Sequence, residues 1–353
     1  MKIIHTADIH LGAKMDSKFP RSIASKRREE LRDTFRLMVD YANKNGVGVI
    51  MLSGDVFDSD TPFQTDRDFF YSVVKNNPNI DFLYLRGNHD VNADYGGASI
   101  PNLKTFTDEW KTYVYGNVAI TGIEITAGNA TSMYSTLSLD GSKLNIVMLH
   151  GQTGDSAGVD KIYLKRLRDK NINYLALGHV HKPQEGKLDD RADYAYCGCL
   201  EGRGFDEVGE HGFILLDVGT KLTRTFIPFA KRKIIEADAD VTGVTEAYTA
   251  SRKVKEAVNF QKQNIYRINL TGEISFDVAE LCGDVQTYLS SECYFVDVKD
   301  RTGKKIDYSV YDGDTSVRGE FVRCVRDNPE LSDEEKKQII SYGLKALAGG
   351  KME

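Results

Sequence analysis

Short apolar runs punctuate the first 220 or so residues. They cover 2–4, 47–52, 81–85, 144–149 and 174–177, and each closes in a polar cluster. Runs of that length predict strands. Stretches of helical period lie between them. Leu31, Phe35, Met38, Val39 and Ala42 recur on one helical face, and Gly46 is placed to stop that helix. Further helices are predicted over about 64–76 and 160–171, and alternation near 212–218 and 222–227 predicts a hairpin. Strands alternating with helices indicate α/β layers around a sheet. After Pro228 the pattern becomes strand (233–239), helix (245–260), strand (265–270), helix (277–290) and strand (294–298). This divides the chain into a first domain at 1–228, a compact β-α-β-α-β domain at 229–305 and a helical tail at 306–353. In the tail, Ser332 and Glu335 have the spacing of a capping box, and Ile340, Leu344 and Leu347 share a face before Gly349-Gly350. That helix either docks on the body or binds a partner. The chain contains no internal repeat and no low-complexity tract.

Composition narrows the class. Of 353 residues, 41% are hydrophobic and 28% charged, which excludes a disordered chain, a collagen or a coiled-coil rod. No apolar stretch approaches the roughly 18–20 residues of a membrane span. The start, Met1-Lys2-Ile3-Ile4-His5, turns polar too soon for a secretory signal. Five cysteines, an odd number, suit free thiols in a reducing compartment, so the expected location is cytoplasmic. The net charge of −6 argues mildly against a polyanionic partner.

The chemistry lies in the polar clusters that close the strands: Asp8-Ile9-His10, Gly54-Asp55, Gly87-Asn88-His89-Asp90, His150-Gly151 and Gly178-His179-Val180-His181. Five of the seven histidines sit there. Loops at the carboxyl ends of strands in an α/β sheet converge on a common crevice. Carboxylate oxygen, imidazole nitrogen and amide oxygen suit a hard-to-borderline divalent metal, and the lack of thiolates argues against a structural zinc knot. Asp8 and His10, like His179 and His181, are two apart and project to one side of an extended segment. Seven candidate ligands are too many for one ion and suit two that share a carboxylate. His5 is read as a core residue or a support to the ligands, and His211 as a loop residue.

These motifs together resemble the full set of the calcineurin-like metallophosphoesterases. The flanks His5-Thr6-Ala7-Asp8-Ile9-His10-Leu11-Gly12, Gly54-Asp55-Val56-Phe57-Asp58 and Gly178-His179-Val180-His181-Lys182-Pro183-Gln184 are similar to those of the SbcD-type DNA repair nuclease subfamily. The resemblance covers about residues 1–181. It implies a two-layered β-sandwich flanked by helices, with a small α+β capping domain. It also implies two ions, Mn²⁺ or another divalent metal. Asp8, His10 and His181 would hold one, Asn88, His150 and His179 the other, and Asp55 would bridge. Such ions lie roughly 3.5–4 Å apart, clamp phosphate oxygens and supply hydroxide. His89 would stabilise the transition state and protonate the leaving oxygen, with Asp90 fixing its tautomer. Asp58 stands where archaeal and eukaryotic members carry a second histidine, which points to the bacterial branch.

The resemblance implies a Mn²⁺-dependent hydrolase of DNA phosphodiesters, a 3′-to-5′ exonuclease on duplex ends and an endonuclease on single strands or hairpins. It would act in repair as a homodimer with an SbcC-like coiled-coil ATPase. The chain itself lacks a G-x-x-x-x-G-K-[ST] loop. Lys14, Lys18, Arg21, Lys26, Arg27 and Arg28 stand against Asp16 alone and could follow a phosphate backbone, or simply be a solvated helix start. Lys14, Arg21 and Arg203 are the candidate substrate contacts. Cys197 and Cys199 lack a second pair, so they do not predict a zinc site. Two alternatives stand beside this reading: a hydrolase of small phosphodiesters or phosphomonoesters, and a non-catalytic metal-bearing scaffold. Bound ions would offset part of the negative charge, yet DNA binding without the partner should be weak and salt-sensitive.

Overall fold

The computed structural model describes residues 1–90, 100–219, 221–274, 278–304 and 308–347. The chain forms two compact units. The first takes in Met1–Glu236, Gln261–Arg267 and Cys293–Phe295, and the second the remainder.

In chain order the first unit holds β1 (Lys2–Thr6), α1 (Arg21–Lys44), β2 (Val47–Ser53), α2 (Gln64–Lys75), β3 (Asp81–Leu85), β4 (Leu103–Thr105), β5 (Lys111–Tyr115) and β6 (Val118–Gly122). There follow α3 (Met133–Thr136), β7 (Leu144–His150), β8 (Gln152–Thr153), β9 (Lys161–Ile162), β10 (Tyr174–Gly178), β11 (Gln184–Lys187), β12 (Asp193–Tyr196), β13 (Gly212–Val218) and β14 (Leu222–Pro228). Two six-stranded sheets result, ordered β14-β13-β1-β2-β3-β4 and β11-β12-β10-β7-β6-β5. Strands β1 to β4 run parallel, as do β6, β7, β10 and β12.

Alternation along each strand builds three layers of core. Ile3, Val49, Met51 and Leu83 of the first sheet share one buried cluster with Ile120, Ile146, Met148 and Ala176 of the second, so the sheets pack face to face. The intervening residues Ile4, Ile50, Leu52 and Phe82 point outward, onto Phe35, Met38 and Val39 of α1 and Phe70 of α2. On the other outer face Val147, Leu149, Leu175 and Leu177 cover Met133 and Leu167. Both faces of the central strands are thus dry, which is why they read as continuous apolar runs. Gly46, at φ +66°, ends α1 in a left-handed turn.

The structure corrects the helix expected at 160–171. Lys161–Ile162 instead pairs with Gln152–Thr153, and only one 3₁₀ turn, Leu164–Arg166, follows. The buried residues there are Ile162, Leu167 and Ile172. Their spacing of five cannot line one helical face, and Asp169 and Asn171 take positive φ. Strands β5 and β11 escaped the sequence reading because they are sheet edges whose residues are largely exposed.

The later elements are β15 (Ile234–Asp240), α4 (Ala247–Ala257), β16 (Ile265–Thr271), β17 (Glu273–Ile274), α5 (Val278–Leu289), β18 (Phe295–Asp300) and β19 (Gly303–Lys304). Strands β15, β16 and β18 form a three-stranded sheet in that order. Two helices, α6 (Val317–Arg326) and α7 (Asp333–Leu347), follow. The capping box at α7 is formed: Ser332 N–H donates to Glu335 Oε2 at 2.8 Å, and Glu335 N–H to Ser332 Oγ at 3.3 Å. Ile340 is buried, while Leu347 is exposed. The expected boundary at 305/306 and the Gly349-Gly350 stop lie outside the described residues. No helix among the described residues is long and apolar enough to cross a membrane.

Candidate metal centre

Five strands deliver the polar clusters. Asp8 and His10 follow β1, Asp55 follows β2, and Asn88 and His89 follow β3. His150 ends β7, and His179 and His181 follow β10. The loops after β1 and β2 are laced together: Asp8 N–H donates to Gly54 O, His10 N–H to Asp55 O and Leu11 N–H to Val56 O. Six non-glycine residues among those described have positive φ, and four of them are Asp8, His10, Asp55 and His179. Strained backbone of this kind persists only where surrounding bonds over-determine it, and it gathers at functional sites. Two glycines make the close approach possible. A Cβ on Gly54 would fall 2.0 Å from His150 Nδ1, and one on Gly178 only 1.9 Å from Ser53 O.

The structure brings all seven expected ligands together. Asp8, His10 and His181 form one group whose ligand atoms lie within 4.8 Å of one another, and Asp55, His150 and His179 form another. Asn88 Oδ1 joins the second, 3.0 Å from His150 Nε2 and 2.9 Å from His179 Nδ1. Asp55 faces both groups, its Oδ2 3.4 Å from His150 Nε2 and 3.8 Å from His10 Nε2.

The donor set fits two divalent cations. His181 Nδ1 bonds Glu207 Oε1 at 2.8 Å, and His10 Nδ1 lies 3.0 Å from Asp58 Oδ1. With protons on both Nδ1 atoms, the two Nε2 atoms direct lone pairs at each other across 3.2 Å. Such a pair is repulsive unless positive charge lies between. The second group also draws positive charge. Burial alone would lower the pKa of His150, but its bond to Asp55 and that carboxylate's charge raise it to about 9. Burial works against Asp55 as well, yet His150 holds its carboxyl well below the usual range. Burial raises Asp8 to about 6, with His150 opposing. It lowers His10 to about 4, with the Asp58 contact opposing.

His89 is exposed at the rim of the site. Its N–H donates to Asp55 Oδ1 at 2.9 Å, and its Nδ1 lies 3.3 Å from Asp58 O. This corrects the role expected of Asp90. The Asp90 carboxylate is buried and accepts from the N–H groups of Val56 and Gly87 and from Tyr84 OH, so a main-chain carbonyl, not Asp90, meets the His89 ring. Burial, reinforced by the charge of Asp55, pushes the Asp90 carboxyl up. Asp90 ties the β2 and β3 loops together.

The basic segment also needs correction. Arg27 is fully buried and bonded to Glu30, Glu201 and Gly202 O. Lys18 pairs with Asp206 and Arg28 with Asp16. Lys14, Arg21 and Lys26 are exposed. Arg203 lies at the site, but its guanidinium is held between Asp58 and Glu207. His5 is a core residue, its Nδ1 2.8 Å from Tyr174 OH. Burial lowers it to about 3. His211 is buried against Cys199 Sγ and Glu207 O. Cys197 and Cys199 are buried free thiols. Sequence reasoning left Asp58 without a role and missed Glu207, which lies 26 residues beyond His181 in a segment with no periodic pattern.

The calcineurin-like phosphoesterase family model matches residues 1–183. Among relatives, the chain is 26% identical over 234 residues to the DNA double-strand break repair protein Mre11 of Saccharolobus solfataricus, covering 61% of this chain and 60% of that protein. Mre11 of Thermoplasma acidophilum is 24% identical over 306 residues, 78% of each chain. A subunit of the nuclease SbcCD from Staphylococcus epidermidis is 20% identical over 312 residues, 76% of this chain and 80% of the relative. The chain therefore spans about 60% of the length of the Saccharolobus protein. A match over more than half the chain, on the same residues that carry the two ligand groups, places this protein in the calcineurin-like phosphoesterase family.

Proposed function

We propose that this chain is a Mn²⁺-dependent DNA nuclease, a 3′-to-5′ exonuclease on duplex ends and an endonuclease on single strands or hairpins. It acts in repair as a homodimer with an SbcC-like ATPase. The observation that carries the reading is the placement of Asp55 between two oxygen-and-nitrogen ligand groups with His89 at their rim. The relatives, a break-repair protein and a nuclease subunit, supply the substrate class.

Asp8, His10 and His181 would hold one cation, Asn88, His150 and His179 the second, and Asp55 both. When bound, two such cations neutralise phosphate oxygens and provide a nucleophile at neutral pH. The chain's own groups do the rest. Asp58 O accepts the Nδ1 proton of His89; as the imidazolium the ring carries a second proton on Nε2, gives that one to the leaving 3′-oxygen and ends as the neutral ring protonated on Nδ1. Asp90 acts from beneath by holding the loop that carries His89. Lys14 and Arg21 contact the phosphate backbone. Residues 1–228 form the catalytic domain, 229–305 the cap and 306–353 a helical tail.

A second reading, hydrolysis of a small phosphodiester or phosphomonoester, is favoured by a cleft of about 350 Å³ beside Asn88 and His150, lined also by Arg86, Thr107, Glu124 and Thr126. One assay separates the readings: linear, 3′-overhang and hairpin DNA beside bis-p-nitrophenyl phosphate, with Mn²⁺, with and without the ATPase. Cleavage of DNA supports the nuclease. Turnover of the small diester with intact DNA selects the second reading, and no turnover of either leaves a scaffold.

A further inference from the structure

Two carboxylates stand behind the histidines of one ligand group. Glu207 Oε1 bonds His181 Nδ1 at 2.8 Å, and Asp58 Oδ1 lies 3.0 Å from His10 Nδ1. Arg203 joins the carboxylates. Its Nη1 is 3.1 Å from Asp58 Oδ1 and its Nη2 is 2.8 Å from Glu207 Oε1, while its main-chain N–H donates to Glu207 Oε2 at 2.6 Å. The second group is supported differently: His150 Nδ1 donates to the main-chain carbonyl of Ser53 at 2.9 Å.

An imidazole coordinates only through the nitrogen that carries no proton, so whatever holds the other proton sets the ligand. Glu207 accepts a hydrogen bond from that proton on Nδ1 of His181, and the Asp58 carboxylate, 3.0 Å from His10 Nδ1, favours the proton there by its charge. Arg203 Nη2 also lies 2.9 Å from His181 Nδ1. Glu207 Oε1, with two lone pairs, accepts from both groups and so competes with the ring nitrogen for the guanidinium. Were Glu207 gone, Arg203 could donate to Nδ1 and shift the ring proton to Nε2, the nitrogen that faces His10. The Arg203 side chain is 12% exposed and engaged on two sides, which leaves little of it for a phosphate.

We infer that Asp58, Arg203 and Glu207 form a positioning clamp for the site of Asp8, His10 and His181, and that Arg203 serves this clamp rather than the substrate. The inference rests on the two-cation reading above. The clamp makes the two sites unequal, one dependent on a buried charge network and the other on a main-chain carbonyl.

The test is a calorimetric Mn²⁺ titration of the full chain, with stoichiometry from elemental analysis and folding checked by circular dichroism in chelator. Glu207→Ala and Asp58→Ala should each weaken one of two Mn²⁺ sites by about 10–100-fold and spare the other. Glu207→Gln and Asp58→Asn, which keep an acceptor oxygen, should recover part of that loss. Arg203→Met should weaken the same site. The clamp is overturned if wild type binds two Mn²⁺ and these variants keep both affinities. It is also overturned if Arg203→Met raises only the KM for bis-p-nitrophenyl phosphate. Wild type binding fewer than two Mn²⁺ would sink the two-cation function, and the clamp with it. Asp58 is 27% exposed, so Asp58→Ala decides the matter even if Glu207→Ala does not fold.

Discussion

Replacing Arg27 tests whether the basic segment before α1 is structural. Arg27 has no exposed side-chain surface. One guanidinium nitrogen bonds Glu30, and the other bonds Glu201 Oε2 at 2.9 Å and Gly202 O at 2.7 Å. Glu30 has a second cation, Arg232. The other contacts of Glu201 are neutral, Thr34 OH and the N–H of Lys231. Arg27→Met therefore leaves a fully buried carboxylate facing only neutral donors. Breaking a buried pair in this way costs about 3–5 kcal/mol. For a unit of this size that corresponds to a fall in Tm of roughly 10 °C. Thermal unfolding followed by circular dichroism measures it. Neutralising the stranded partner should recover part of the loss, so Arg27→Met with Glu201→Gln should be more stable than Arg27→Met alone. A shift under about 2 °C for the single variant, or full additivity in the double, would refute the reasoning. Glu201 and Gly202 immediately precede Arg203, so weaker DNA cleavage in Arg27→Met should be ascribed to lost structure and not to a lost phosphate contact.

His89→Ser should retain both Mn²⁺ ions by elemental analysis yet lose about 10²–10⁴-fold in cleavage rate, and unchanged cleavage removes the acid role. Gly178→Ala places a Cβ 1.9 Å from Ser53 O, so Mn²⁺ titration should show weakened binding through displaced His179 and His150; wild-type affinity would show that the loops can yield. His5 is held at about 3 by burial against 6.5 in the unfolded chain. Between those values the unfolded chain takes up a proton that the folded chain refuses, so stability falls as pH drops, by about 2 kcal/mol at pH 5. His5→Gln should accordingly lose less Tm than wild type between pH 7 and pH 5, and equal losses would count against it.

What the sequence determined is what a local pattern can encode. The helical face from Leu31 to Ala42 and the central strands are legible because period and run length follow from which faces are dry. The capping box at Ser332 and Glu335 is legible because its partners are three residues apart. The candidate ligands are visible because unusual residue types, Asp-x-His and His-x-His beside glycine, close successive apolar runs. Only the tertiary structure decided the rest. The segment 160–171 has helical composition, but its buried residues are spaced five apart to meet a sheet, and packing overrode propensity. Arg27 reads as one more cation in a basic run until the fold sets Glu201, distant in sequence, against it. Asp58 and Glu207 acquire meaning only when His10 and His181 arrive in front of them, from strands of different sheets. A sequence states which groups are present. Which carboxylate faces which ring nitrogen depends on contacts between residues far apart in the chain, and these leave no period to read.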